Sequence, residues 1–349
     1  KKALCDYMDE DGFITEFKRT KHFEELLADY IGVKHCVVVN NGTISLSLAA
    51  MAVGIKAGDE VIVPNYTMIA SPNSLKMFGA KPVFVDVERK TLCLDIELVE
   101  QAITSKTKGI MLVSANGRYP EVGIKAFENL CNEKNLILIE DSAQSLGSFY
   151  PDGRHIGTVG LVGSFSFSAP KIISTGQGGA IITNNHRVAE KLRKLKDFGR
   201  SNGGNDIHDS IGYNFKFTEL QACIGIEQMK KLPMRVERKK EIFNHYIKGL
   251  KGLGEVRLFD HNLKNTSPWF IDCVVSDRDN LIAYLKNKGI GSRPMYPPIN
   301  GQKIYKTNDY FPNSELIGEK GLWLPSAVQL KDDEVTRICL EINNFYNKK

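Results

Sequence analysis

The residue best placed to do chemistry is Lys171. It follows Gly163-Ser-Phe-Ser-Phe-Ser-Ala-Pro170, a small-residue strand rich in hydroxyls, and precedes a dense glycine turn, Gly176-Gln-Gly-Gly179. A lysine in that setting loses solvation and its pKa falls, as an amine that condenses with an aldehyde requires. Alone it could equally be a loop lysine. Asp141 stands just past the apolar run 136–139. A carboxylate buried there needs a cation or a strong donor opposite it, or it serves as a helix N-cap. Asn41-Gly42-Thr43 follows the β-branched run 35–40. Glycine lets backbone approach closely there, and a helix N-terminus offers N–H groups to an anion; the same triplet also makes an ordinary capped turn. Taken together the segments supply an amine for an aldehyde, a carboxylate for a pyridinium nitrogen and donors for a phosphate.

These groups need a scaffold, and the first two-thirds of the chain reads as one. The spacing of Phe17, Phe23, Leu26, Leu27 and Tyr30 predicts a helix over 15–31. Further helices are expected at 43–53, 70–78 and 124–133, with strands at 61–64, 82–85, 110–113 and 136–139; the glycine turn leads into Ala180-Ile-Ile-Thr183. This βαβα order implies a mostly parallel sheet covered on both faces, with ligands at the carboxyl ends of its strands. After Asn214 the pattern changes. Residues 218–250 read as one long helix or two broken ones, followed by a strand at 270–275, a helix at 279–288, the loop Arg293-Pro-Met-Tyr-Pro-Pro298 and a helix at 332–346. The expected division is a large domain over 1–225 and a smaller α+β domain over 226–349.

Composition excludes other classes. The 349 residues exceed one small core, and 42% hydrophobic with 25% charged residues is an ordinary globular mix. A net charge of +5 is spread along the chain without a basic run interleaved with aromatics, so no nucleic-acid footprint is expected. Seven cysteines lie far apart with no CxxC pair, which argues against a metal site and for reduced thiols in the cytoplasm. No stretch is apolar enough to span a membrane, and early acidic residues argue against a signal peptide.

In order and spacing the chain resembles the DegT/DnrJ/EryC1/StrS family of nucleotide-sugar aminotransferases. The segments that carry the resemblance are Asn41-Gly-Thr43, Gly58-Asp-Glu-Val-Ile-Val-Pro64, Thr67-Met-Ile-Ala-Ser71 with Asn73, Glu140-Asp-Ser-Ala-Gln144, Ser164-Phe-Ser-Phe167 with Lys171, Gly176-Gln-Gly-Gly179, Gly212-Tyr-Asn214, Glu219-Leu-Gln221, Arg293–Pro298 and Gly321-Leu-Trp-Leu-Pro325. The resemblance implies the aspartate aminotransferase (type I) fold and pyridoxal 5'-phosphate (PLP), alternating with pyridoxamine phosphate (PMP). It implies that Lys171 holds the cofactor and moves the proton, that Asp141 partners the pyridine nitrogen and that Gln144 contacts the ring or its hydroxyl. Gly42, Thr43 and Ser166 would bind phosphate, with Asn214 reaching in from a second subunit of a homodimer with shared active sites. Met68 would lie against the ring where relatives place an aromatic. Arg293, Tyr296 and Asn300 would face the sugar nucleotide.

Departures from the family pattern fall on the substrate side: Ser114-Ala-Asn-Gly-Arg118, Gln177 and Asn300. Sugar dehydratases of the family replace the lysine by histidine, so Lys171 favours transamination. The expected reaction moves an amino group from an amino acid, glutamate above all, to a keto group of a nucleotide-linked deoxysugar such as a 4-keto-6-deoxyhexose. Two alternatives stay open: the same chemistry on another keto sugar or a cyclitol, and a PLP-binding sensor without catalysis.

Overall fold

The structure is a computed structural model that describes residues 1–10, 12–201 and 206–347. Its larger sheet contains β1 (His35–Val39), β2 (Glu60–Pro64), β3 (Lys81–Val85), β4 (Thr107–Val113), β5 (Ile137–Asp141), β6 (Val162–Ser166) and β7 (Gly179–Thr183). Their order is β1-β7-β6-β5-β4-β2-β3, and β7 alone runs antiparallel to its neighbours.

The sheet is covered on both faces because its side chains alternate with period two. Val37, Val39, Val61, Val63, Met111, Ile139 and Ile181 pack into one core with the helix Gly42–Ala52. Their neighbours Cys36, Val38, Ala180 and Ile182 face a second cluster, and Ile62, Ile110, Leu112 and Leu138 a third. Each such aliphatic side chain taken from water contributes about 1.5–3 kcal/mol. A single-residue slip would turn these chains to the wrong face, so the alternation fixes the register.

The smaller sheet, in the order β10-β11-β9-β8, contains β8 (Val256–Leu258), β9 (Ile271–Val275), β10 (Arg293–Pro294) and β11 (Gly321–Leu324), all antiparallel. Residues 218–250 form two helices. Thr218 and Gln221 close a capping box on Glu219–Met229, and Pro233 in the first turn of Leu232–Gly249 starts the next. The second helix carries the chain between cores. Leu232 and Val236 belong to the large-sheet side, Ile242, Phe243 and Tyr246 to the small-sheet side. The expected boundary at 225/226 falls inside Glu219–Met229.

Candidate active site

β1, β5 and β6 are parallel to one another, so their carboxyl ends share one edge of the sheet. β5 ends at Asp141, β6 ends at Ser166 five residues before Lys171, and β1 leads directly to Asn41-Gly42-Thr43.

The anion cradle comes from β1, β6 and β7. Asn41 caps the helix Gly42–Ala52 by accepting the Ile44 N–H at 2.9 Å; the amides of the first turn have no intrahelical acceptor. Gly179 stands opposite both Val39 and Ser166 in the strand ladders. A Cβ on Gly179 would meet the Asn41 carbonyl at 2.5 Å, and one on Gly42 would meet Ser166 Cβ at 2.7 Å. Glycine at both positions is therefore what lets the loop close on Ser166. The Ser166 hydroxyl lies 3.3 Å from that of Ser168, and Thr43, next in the chain to Gly42, is half-buried.

Asp141 is buried, and burial raises its carboxyl above the usual range. Three interactions favour the anion: the Ser71 hydroxyl donates to Oδ2 at 2.7 Å, the Ala143 N–H donates to Oδ1 at 3.2 Å, and Lys171 adds its charge. A pyridinium opposite would favour it further. Ser71 is in turn paired with Thr67 Oγ1 at 2.9 Å. Gln144, three residues on, accepts the Asn116 N–H through Oε1 at 2.6 Å.

Lys171 is half-buried, since it opens onto a cleft, yet its ammonium lies over the Trp269 ring, 4.1 Å from the centroid. Loss of water lowers its pKa to about 8, and the Asp141 carboxylate opposes the fall. The indole N–H of Trp269 donates to the Pro170 carbonyl at 2.8 Å, which fixes the ring against the lysine loop. Lys171 lines a cavity of about 520 Å³ with Arg235, Lys239 and Arg293.

The remaining expected residues lie further out. Met68 is exposed and its Sδ accepts the Ala70 N–H at 3.0 Å. Arg293 is exposed, 5.3 Å from the Trp323 ring. Tyr296 packs edge-on against Trp323, and burial raises its hydroxyl to about 12, with Arg293 opposing and Asp141 adding to the rise. Asn300 is buried and its groups are used within the chain: its Oδ1 accepts from Asn65 Nδ2, its N–H donates to Asn65 Oδ1, both at 2.9 Å, and its Nδ2 donates to the Asp309 carbonyl. Asn214 is exposed, in an isolated bridge with Asp197, and is not among the residues gathered around Lys171. Ser71 and Trp269 had no expected role. Ser71 lies within a family motif, but Trp269 meets Lys171 only through the fold.

The profile of the DegT/DnrJ/EryC1/StrS aminotransferase family matches residues 1–343. The GDP-perosamine synthase of Vibrio cholerae is 35% identical to the chain, covering 99% of this chain and 96% of the relative. That of Escherichia coli O157:H7 is 34% identical over 100% and 96%. Among solved structures, DesV of S. venezuelae superposes with a TM-score of 0.92 at 30% identity, covering 98% of this chain and 93% of that one.

Proposed function

The chain belongs to the DegT/DnrJ/EryC1/StrS aminotransferase family and is a PLP-dependent aminotransferase of nucleotide sugars, and from that premise we propose that it aminates a 4-keto-6-deoxyhexose carried on a nucleotide, GDP foremost, with glutamate as donor. The carrying observation is the cavity beside Lys171. Two guanidinium side chains, Arg235 and Arg293, line it, with no acidic side chain among the described residues of its wall. A nucleotide diphosphate is the anion such a wall suits. GDP comes first because the relatives above are GDP-perosamine synthases.

The residues fit the cofactor. A low-pKa amine suits its aldehyde, a buried carboxylate its ring nitrogen, and the cradle of Gly42, Thr43 and Ser166 its phosphate. Bound PLP supplies an electron sink next to the carbon that loses its proton. Lys171 Nζ takes that proton and returns it, a task for which a pKa near the working pH is suited. Asp141 holds the proton on the ring nitrogen, and Ser71 aims the carboxylate. Trp269 excludes water from the amine. Gln144 and Met68 border the ring, and Arg293 with Tyr296 borders the sugar nucleotide. Asn300 acts there by holding the loop to Asn65.

Asn214 serves the partner's phosphate site in a homodimer. Beside it Ile211 and Ile207 are 77% and 64% exposed, apolar surface that a second subunit would cover. Six of the seven cysteines are buried and all are free, which suits a cytoplasmic enzyme. Among the described residues no helix is long and apolar enough to cross a membrane.

The test is a panel of GDP-, UDP- and dTDP-linked 4-keto-6-deoxyhexoses incubated with glutamate, with formation of 2-oxoglutarate followed. Turnover with the GDP sugar above the others is expected. Turnover with none of the three overturns the substrate assignment.

A further inference from the structure

The turn 115–118, which departs from the family pattern, touches both halves of the site. Asn116 is buried with a left-handed backbone, φ 55°. Its N–H donates to Gln144 Oε1 at 2.6 Å. Its side chain clamps the backbone of Phe270 on both sides: Nδ2 donates to the Phe270 carbonyl at 2.8 Å, and Oδ1 accepts the Phe270 N–H at 2.6 Å. Phe270 is the neighbour of Trp269, whose ring covers the Lys171 ammonium and stacks on Phe270 at 3.9 Å between centroids. Two residues beyond Asn116, the buried Arg118 guanidinium forks onto the Asp272 carboxylate and donates to His261 Nε2 at 2.9 Å. One turn of the large domain therefore holds the 269–272 segment of the small domain at both ends.

We propose that Asn116 is a positioning residue: its backbone sets Gln144 three residues beyond Asp141, and its side chain holds the segment that lays Trp269 over Lys171. This rests on Lys171 being the working amine. Adjacent Gly117 leaves no slack, since a Cβ there would meet the Ser267 carbonyl at 2.5 Å. Asp141 is the charged group that acts on Lys171, so a change at Asn116 reaches the amine through Trp269 and the water it keeps out.

The informative variant is Asn116→Gly. Glycine adopts the positive φ freely and keeps the N–H bond to Gln144, so what is lost is the clamp on Phe270 and a long 3.4 Å contact of Nδ2 with His261 Nε2. The readout is trace acetylation of the full chain freed of cofactor, with Lys171 quantified by peptide mass spectrometry across pH 6–11. The midpoint does not depend on how easily the reagent enters. In the unaltered chain it should fall at about 8. In Asn116→Gly it should rise by about one unit toward the ordinary lysine value as water reaches the amine. An unchanged midpoint, whether or not melting temperature falls, overturns the proposal, because a merely structural role would lower stability alone. Should this variant not fold, Asn116→Ser, neutral and too short to bridge both backbone groups of Phe270, is expected to give the same direction of rise. If Lys171 proves not to be the working amine, turnover survives its replacement, an outcome separate from this midpoint.

Discussion

The floor of the site and its rim are built differently. On the floor, Asp141, Ser71 and Trp269 are buried, and each has its hydrogen bonds inside the chain. On the rim, Met68, Arg293 and Asn214 are exposed. On the proposed reading, the groups that meet the cofactor's aldehyde and ring nitrogen are preorganised by the sheet edge. Those assigned to the ring face, the substrate or a second subunit are left to be ordered by what arrives. The cost of a substitution should follow the same division.

The sharpest break of this contrast is Lys171→Ala. Turnover should fall by at least about a thousandfold, with the fold intact by circular dichroism and the visible cofactor band lost. Retained activity, or borohydride labelling of another lysine in the unaltered protein, removes the centre of the floor. Asp141→Asn comes next. A neutral amide cannot hold the ring proton, so the glutamate half-reaction should slow by roughly a hundredfold while sugar-nucleotide affinity holds. Stopped-flow rates equal to those of the unaltered enzyme would falsify the role.

Glu140 sharpens the comparison, because alternation places it on the other face of β5 from Asp141. It is buried and accepts from the Tyr150 hydroxyl and from the N–H groups of Gly157, Val159 and Gly160. Glu140→Gln turns an amide toward those donors, with an expected loss of about 2–3 kcal/mol in denaturant unfolding and kcat within a factor of about three. A large kcat loss without destabilisation would erase the distinction between the two carboxylates. On the rim, Arg293→Ala should raise the sugar-nucleotide KM by about tenfold and leave the glutamate half-reaction alone, as expected for one lost charge-assisted bond. An unchanged KM would detach that loop from the substrate.

The floor was far more legible in the sequence than the rim. Lys171, Asp141 and the Asn41-Gly42-Thr43 turn sit where local pattern is strongest, just past apolar strands. The expected strands at 61–64, 82–85 and 110–113 lie within β2, β3 and β4. The strand expected at 136–139 is β5, which starts one residue later and ends two later, so that Asp141 closes the strand instead of following it. The helices Ile96–Ala102 and His186–Lys196 were not expected, nor was β11, whose four residues give too short a signal for periodicity. Trp269 was out of reach because its partners Pro170 and Lys171 lie 99 and 98 residues away, and only the fold, through the Asn116–Phe270 and Arg118–Asp272 hydrogen bonds, brings them together. Asn300 could be placed beside the substrate only by its position in the family pattern. Its amide bonds to Asn65 and Asp309 come from elements far apart in the chain or from an irregular loop, where the sequence has no local signal.

The smallest expected effect, and the one that tests whether the rim is completed by a second subunit, is at Asn214. Asn214→Ala removes one neutral donor set, so PLP affinity should weaken by about tenfold or less. Such a loss cannot by itself say which subunit's phosphate Asn214 serves, but subunit mixing can. Lys171→Ala and Asn214→Ala chains carrying different tags are co-expressed and the mixed dimers isolated. If Asn214 crosses the interface, one site of the mixed dimer takes both defects. The other receives Lys171 from one chain and Asn214 from its partner, and is intact. Half of the sites should then bind PLP with unaltered affinity, where the Asn214→Ala parent binds it only weakly and the Lys171→Ala parent does not turn over. If Asn214 instead serves its own chain, the Lys171→Ala site stays dead and the other keeps the weakened affinity, so the mixed dimer shows no recovery.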